Sequence, residues 1–428
     1  MKILINPTKE ELCIALQRPT NGNDDVREQV RQIITQVEIE GDAALIRLNQ
    51  TIDGYSSNSL EVSHDKVIAA GKATSTEIKS AMALAYKNIE AFHKAQFPSP
   101  IVVETQSGIS CSLKYFPLER VGLYIPGGTA PLISTVLMLA IPASVAGCEE
   151  IIICTPPNPT NELLYAAGLF NARVFTVGGA QAVAAMAFGT KSIPRVDKIF
   201  GPGNRYVTEA KMEMAGKGVA IDMPAGPSEV IVLADETANP AFVAADLLSQ
   251  AEHGSDSQVV LITTSSKILS QTLEEMERQS ATLSRKTFVD KTLANSTAIL
   301  VNSMFEAMTI SNRYAPEHLI LAVAKPEQLA QEVKSAGSVF LGHYSPESAG
   351  DYSSGTNHTL PTSRFARSWS GITTLSFMKS ITFQQLCKEG ISAISSATAA
   401  LARAEGLEAH ARAIEIRDEF LNSAKKQS

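Results

Sequence analysis

Three short stretches of this 428-residue chain carry the side chains most able to do chemistry. In Ser249-Gln250-Ala251-Glu252-His253-Gly254, an amide oxygen and an imidazole stand three residues apart at the end of a helical run. That spacing puts Gln250 and His253 on one face, where both can ligate a divalent metal. A histidine at a helix C-terminus can equally do no more than complement the helix dipole. In Asn312-Arg-Tyr-Ala-Pro-Glu317-His318 an acid adjoins an imidazole, the common proton-transfer pair. Pro316 biases Ala315 towards an extended conformation, and a loop here could turn both groups into one cleft or leave them in solvent. The segment from Ser345 to Pro361 holds Asp351 and His358 among Gly, Ser and Thr. So long an irregular stretch, 342–370, is usually functional, and a metal or substrate would order it. Glu405 and His410 follow in the tail, where His410 taken alone is an exposed helix residue. His64 and His93 are expected at the surface.

A second class of signal is glycine-rich. Tyr124-Ile-Pro-Gly-Gly, Val177-Gly-Gly-Ala-Gln181 and Gly201-Pro-Gly-Asn204 each follow a strand pattern and open a helix. Bare amides at a helix N-terminus favour an anionic group such as a pyrophosphate. No strict GxGxxG is present, so each turn alone is as compatible with tight packing as with a nucleotide. Three of them on one sheet edge favour the nucleotide, because open parallel sheets bind ligands beyond the carboxyl ends of their strands.

Elements must exist to hold these groups. Residues 25–97 show helical apolar spacing, and 101–123 look extended around a turn at Gly108. From 120 to 225 strands alternate with helices, and a second alternation runs from 229 to 341. Strand cores such as IIIC and IVLA are apolar without alternation, as a sheet covered on both faces requires. The fold class is therefore α/β, with two tandem Rossmann-like parallel-sheet units and small helical N- and C-terminal appendages. The expected domains are an arm at 1–20, a first Rossmann-like domain from 21–123 and 228–370, a second, cofactor-side domain at 124–227, and a helical tail at 371–428. That tail, a hairpin broken at Gly406, has no core of its own and is expected to dock on something, such as another subunit.

Composition narrows the function. Hydrophobic residues make up 44% and charged residues 19%, which excludes a disordered chain. A net charge of −7 with no long basic run argues against nucleic acid. The uncharged stretch from Val121 to Cys148 has the length of a membrane span but is broken by Pro126, Gly127, Gly128, Pro131, Pro142 and Gly147. A buried helix explains it better, and no membrane is expected. The cysteines at 13, 111, 148, 154 and 387 form no CxxC, and the start has no apolar core of signal-peptide length. Both fit a reducing cytoplasm.

GPGNRYVTEAK, DMPAGPSEV, SQAEHG, NRYAPEHL, SPESAGDYSSGTNHTLPT and EGLEAHA, in this order and spacing, resemble the histidinol dehydrogenase family. The likeness runs from about residue 20 to 415. It implies NAD-dependent oxidation of L-histidinol to L-histidine through the aldehyde, the last step of histidine biosynthesis, in a zinc-dependent homodimer with exchanged terminal domains and shared active sites. It implies Gln250, His253, Asp351 and His410 as zinc ligands that also meet the substrate, and Glu317 and His318 as the proton-transfer pair. Ser228, His358 and Glu405 match substrate-contacting positions, and Tyr124, Gln181 and Asn204 match cofactor positions. On this reading zinc orients an amino alcohol. His318, with an ordinary pKa near neutrality, takes the hydroxyl proton, and Glu317 activates water for the aldehyde step. The rivals are a zinc-dependent hydrolase or lyase of a small amino compound, and a non-catalytic nucleotide sensor.

Overall fold

The computed structural model describes residues 1–18, 24–57, 59–127, 132–224 and 226–425. The strands, in chain order, are β1 (Lys2–Ile5), β2 (Ile101–Gln106), β3 (Ile109–Pro117), β4 (Arg120–Tyr124), β5 (Glu150–Thr155), β6 (Arg173–Thr176), β7 (Lys198–Phe200), β8 (Ala220–Ile221), β9 (Glu229–Ala234), β10 (Gln258–Thr263), β11 (Thr297–Leu300), β12 (His318–Ala322), β13 (Ser338–Leu341) and β14 (Met378–Leu386). Two compact units result, one of residues 1–96 and 118–377, the other of 97–117 and 378–428.

The larger unit holds both parallel sheets. One has five strands in the order β6-β5-β4-β7-β8, and the other six in the order β1-β11-β10-β9-β12-β13. Leaving β1 aside, each sheet starts at its centre, winds outward one way and then reverses to the other. The reversal lies between β4 and β7 in one sheet and between β9 and β12 in the other. Helices cover both faces of such a sheet, so its central strands are apolar throughout. β9 and β10 are buried at all six positions each. Local chemistry sets the helix starts. Asn239 caps the helix Pro240–Ala251 with its side chain, and Pro240 occupies the first turn, where no amide is needed. The uncharged stretch becomes the buried helix Ile133–Ala146, which accommodates Pro142. Among the described residues no helix is long and apolar enough to cross a membrane.

Three groupings differ from the sequence expectation. The helices of the N-terminal part, 24–53, pack Val26, Val30, Ile34, Val37, Leu45 and Leu48 into the core of the five-stranded sheet, with Phe175, Val183 and Ile199. They were expected beside residues 228–370, but an apolar stripe specifies burial without naming its partner. The arm at 1–20 is no loose extension, because β1 pairs in parallel with β11 along the edge of the six-stranded sheet. The tail is not wholly helical, since it contributes β14. His93 is buried rather than exposed, facing the Thr374 hydroxyl and the Asn357 amide at 3.4 Å each.

The smaller unit is an antiparallel sheet in the order β14-β3-β2 with the helices Lys388–Ala404 and Glu408–Lys425. Gly406 breaks the hairpin at φ 76°, as its sequence suggested. The helices bury little against each other beyond Ala399, Ala402 and Ala411.

Candidate functional site

The candidate chemistry gathers where the strands of the six-stranded sheet begin. Glu317 and His318 open β12, and Ser228 and Glu229 open the adjacent β9. Gln250 lies in the last turn of the helix Pro240–Ala251 that leads into β10, and His253 follows its C-cap, its amide donating to the Gln250 carbonyl at 3.3 Å. The loop expected at 342–370 contains a short helix, Glu347–Tyr352, which puts Glu347 and Asp351 on one face.

Main-chain groups of Glu229 orient the acid and the imidazole. Its amide donates to Glu317 Oε2 at 2.9 Å, and its carbonyl lies 3.2 Å from His318 Nδ1. A carbonyl only accepts, so Nδ1 carries a proton and Nε2 is the nitrogen free to exchange one. Nε2 is buried with no hydrogen-bond partner, 3.6 Å from Asp351 Oδ1. The same logic fixes His358. Its Nδ1 donates to the Asp351 carbonyl at 2.9 Å, and its Nε2 faces the Thr135 hydroxyl at 3.1 Å. Thr135 lies on the helix that follows β4. These bonds bring the beginning edge of one sheet against the finishing edge of the other.

Ala315 does not take the extended conformation expected before Pro316. It is left-handed at φ 56°, and it is fully buried. Proline excludes the right-handed helical region for its neighbour, and the chain must turn sharply out of the helix Met304–Tyr314. The strain, of order 1 kcal/mol, is held at the residue two before Glu317.

Carboxyl groups crowd the site, and their burial and mutual repulsion oppose ionisation. Burial raises the Glu317 carboxyl to about 8, against the pull of His318. Glu347 is raised well above the usual carboxylate range by burial and by Asp351, Glu317 and Asp246. Burial would lower the His318 imidazole, but Glu347, Glu317 and Asp351 outweigh it and lift the group to about 10. The neutral-range value expected for a proton acceptor is therefore not that of the site without added positive charge. His253, Glu347 and Asp351 offer ligand atoms within 4.8 Å of one another. The Gln250 amide, oriented for hydrogen bonding, donates to Glu347 Oε2 at 3.1 Å and accepts from the Glu229 amide at 3.2 Å. Turned the other way, its oxygen meets the Glu347 carboxylate, which only a proton or a cation makes tolerable. An imidazole, two crowded carboxyl groups and an adjustable amide fit a divalent metal, whose charge would favour ionisation of the carboxyl groups.

The finishing edge of the five-stranded sheet holds the three cofactor candidates. Tyr124 ends β4, and its hydroxyl accepts from the Gly179 amide at 3.0 Å. Gln181 is buried in the first turn of the helix Gly179–Phe188, and its Nε2 has no partner. Asn204 caps the helix Arg205–Gly216, its Oδ1 accepting from the amides of Tyr206 and Val207. Gly201 lies between them at φ 116°, so close that a Cβ would collide with the Tyr124 carbonyl. Behind that turn Lys211 and Asp222 form a buried ion pair, and each also bonds the main chain of Gly201. Removing one partner of such a pair costs about 3–5 kcal/mol. Gly128, the last residue of the turn that begins at Tyr124, lies outside the described residues.

Glu405 and His410 belong to the smaller unit, at the end of one tail helix and in the first turn of the next, and both are exposed. Sequence reasoning missed Glu347 and Glu229. The four-residue spacing of Glu347 and Asp351 could have revealed the first, whereas nothing local marks the second.

The family model for histidinol dehydrogenase matches residues 16–418. The chain belongs to the histidinol dehydrogenase family. It is 50% identical over 422 residues to histidinol dehydrogenase from Bacteroides fragilis (strain YCH46), covering 97% of this chain and 99% of that one. Histidinol dehydrogenase from Vibrio parahaemolyticus is also 50% identical, over 418 residues and 97% of each chain. The crystal structure of histidinol dehydrogenase from Elizabethkingia anophelis superposes with a TM-score of 0.96 at 48% identity, over 99% of both chains. A probable aldehyde dehydrogenase from Listeria monocytogenes, at 13% identity and a TM-score of 0.50 over 87% of this chain and 96% of that one, shares the fold alone.

Proposed function

We propose that the chain oxidises L-histidinol to L-histidine through the aldehyde, with NAD as acceptor and zinc bound, as the last step of histidine biosynthesis in the cytoplasm. The observation that carries the reading is the meeting of Glu317, His318, Gln250, His253 and Asp351 at one sheet edge in a member of this family. Gln250, His253 and Asp351 would hold the metal, with Glu347 beside them. When bound, NAD supplies the hydride acceptor and zinc a positive template for an amino alcohol. His318 takes the hydroxyl proton at Nε2, the nitrogen left open by its bond to Glu229. Glu317, anchored through Oε2, then takes a proton from the water that attacks the aldehyde, and His318 serves again for the resulting gem-diol. His358 and Ser228 contact substrate, and Tyr124, Gln181 and Asn204 line the cofactor side. Burial of the acid–base pair keeps bulk water from the aldehyde.

The deciding assay follows NAD reduction by the zinc-loaded protein with histidinol. Two NADH per histidinol, abolished by a chelator, are expected. Turnover without NAD would favour the hydrolase or lyase, and no turnover at all would sink the assignment.

The protein works, on this reading, as a homodimer in which Glu405 and His410 of a second copy complete the site and His410 is the fourth zinc ligand. Support comes from the smaller unit, which exposes Ile101, Val102, Val103, Ile381 and Phe383 on one sheet. The strand register puts Val102, Ile381 and Phe383 on one face and Ile101 and Val103 on the other, so both faces of this small sheet expose apolar side chains. Mixing Glu317→Gln with His410→Ala subunits should recover activity. Failure to recover, with mixed dimers shown to form, overturns the sharing.

A further inference from the structure

The proton pair is held by the backbone of one residue, Glu229, and the side chain of that residue is itself gripped from two distant parts of the chain. The guanidinium of Arg18, at the end of the N-terminal arm, engages the Glu229 carboxylate in a fork, with Nη2 at 2.7 Å from Oε2. The amide of Ser363 donates to Oε1 of the same carboxylate at 2.9 Å. Arg18 lies over the ring of Tyr314, 3.9 Å from its centroid, and donates to the Tyr314 carbonyl at 3.0 Å. That carbonyl belongs to the residue just before the left-handed Ala315, at the turn that delivers Glu317 and His318.

The arm is seated for this contact. Its Gln17 carbonyl accepts from Gln258 Nε2 at 3.1 Å, its Ala15 carbonyl from the Thr297 hydroxyl at 3.2 Å, and the Tyr314 hydroxyl donates back to Gln258 at 2.7 Å. Arg18 is therefore fixed on both sides of Glu229. It touches neither Glu317 nor His318. It does hold the strand end whose amide bonds Glu317 and whose carbonyl sets which nitrogen of His318 is open.

We propose that Arg18 is a positioning residue for the proton-transfer pair, acting through Glu229 and the strained Tyr314–Ala315 turn. The assignment rests on Glu317 and His318 being the proton carriers. Without the fork, the start of β9 is free to shift by fractions of an ångström, and the acid and imidazole lose their shared reference. None of the residues proposed to hold substrate or cofactor takes part in the contact itself.

The test uses the full-length, zinc-loaded protein. Arg18→Met should lower kcat roughly 30-fold, the scale of a sub-ångström misplacement, with KM for histidinol and NAD within about twofold of the parent. The solvent deuterium isotope effect on kcat should rise, because proton transfer becomes harder. Arg18→Lys should recover only part of the loss, since an ammonium cannot reproduce the fork. Glu229→Gln, which removes the ion pair but can still accept from Ser363, should follow Arg18→Met and serves if that variant does not fold. An activity-free readout is the His318 Nδ1 proton in NMR, assigned by its disappearance in His318→Gln. It should exchange faster in the Arg18→Met and Glu229→Gln variants. An unchanged isotope effect and an unchanged Nδ1 proton, with loss of thermal stability alone, overturn the proposal. If the parent protein does not oxidise histidinol, the functional reading falls, while the Nδ1 proton still decides whether Arg18 orients His318.

Discussion

The two parallel sheets share one winding order, yet they meet the candidate site with opposite ends. The five-stranded sheet offers the finishing ends of β4, β6 and β7, and after β6 and β7 glycine turns open into helices whose first amides are held by the Tyr124 and Asn204 side chains. The six-stranded sheet offers the starting ends of β9 and β12, where side chains and main-chain groups of adjacent strands lock each other. The first edge is made of backbone and glycine and suits a phosphate-bearing cofactor. The second is made of buried carboxylates and imidazoles and suits a cation and moving protons. The same topology thus provides two kinds of site, and the difference lies in which end carries the titratable residues.

Substitutions at each edge should break different functions. The largest effect is expected from His318→Gln, with turnover falling about a thousandfold while NAD binding, followed by cofactor fluorescence, holds. Glu317→Gln should spare alcohol oxidation and stall oxidation of supplied aldehyde, visible in stopped-flow NADH traces. Normal aldehyde turnover in that variant would remove Glu317 from the second step. Next comes Glu347→Gln, which should weaken zinc about 10- to 100-fold in competition with a chelating dye and leave the finishing edge of the other sheet intact. Gly201→Ala should do the reverse. A methyl group against the Tyr124 carbonyl at φ 116° costs roughly 2–3 kcal/mol and should raise KM for NAD with zinc affinity unchanged. Equal losses of zinc and NAD in either variant would show that the two edges are one coupled site.

The smallest effect on function concerns His93, whose ring faces Asn357 and whose titration bears on stability. Burial depresses its imidazole to about 4 from the ordinary 6.5, so it folds neutral. Below pH 6.5 the unfolded chain binds a proton the folded chain refuses. This contribution to stability is complete above that pH and is lost as pH falls towards 4, by about 3 kcal/mol at most. Urea midpoints at pH 7 and 4.5 should therefore converge in His93→Gln relative to the parent.

Much of this organisation is legible in the residues. Continuous runs such as EVIVLA and QVVLIT announce strands covered on both faces, and each expected strand between 120 and 341 is present. What failed to show was partnership. Val26, Val30, Ile34 and Val37 declare an apolar face without saying which sheet receives it. β14 is exposed along most of its length, so MKSITFQQL has no buried alternation to betray it, and its mate lies far upstream. The left-handed Ala315 carries no glycine signal, because its geometry is imposed by Pro316 on one side and a helix end on the other. In the site, residue types were readable, and the four-residue interval in SPESAGDY held the clue to Glu347. The part played by Glu229 was not readable, since its amide and carbonyl do the holding and every residue but proline has both.

The antiparallel pairing of β14 with β3 joins Met378 to Pro117 and Leu386 to Ile109. During synthesis the upstream hairpin leaves the ribosome long before its third strand exists, with Val102 and Val103 open to water. Every parallel strand of the larger unit except β1 is made in the interval. Closing so large a loop is cheap only once that unit has folded and shortened the effective distance between its ends. The smaller unit is therefore a late-forming one. A nascent chain arrested before residue 378 should show a folded body and a protease-sensitive segment at 97–117.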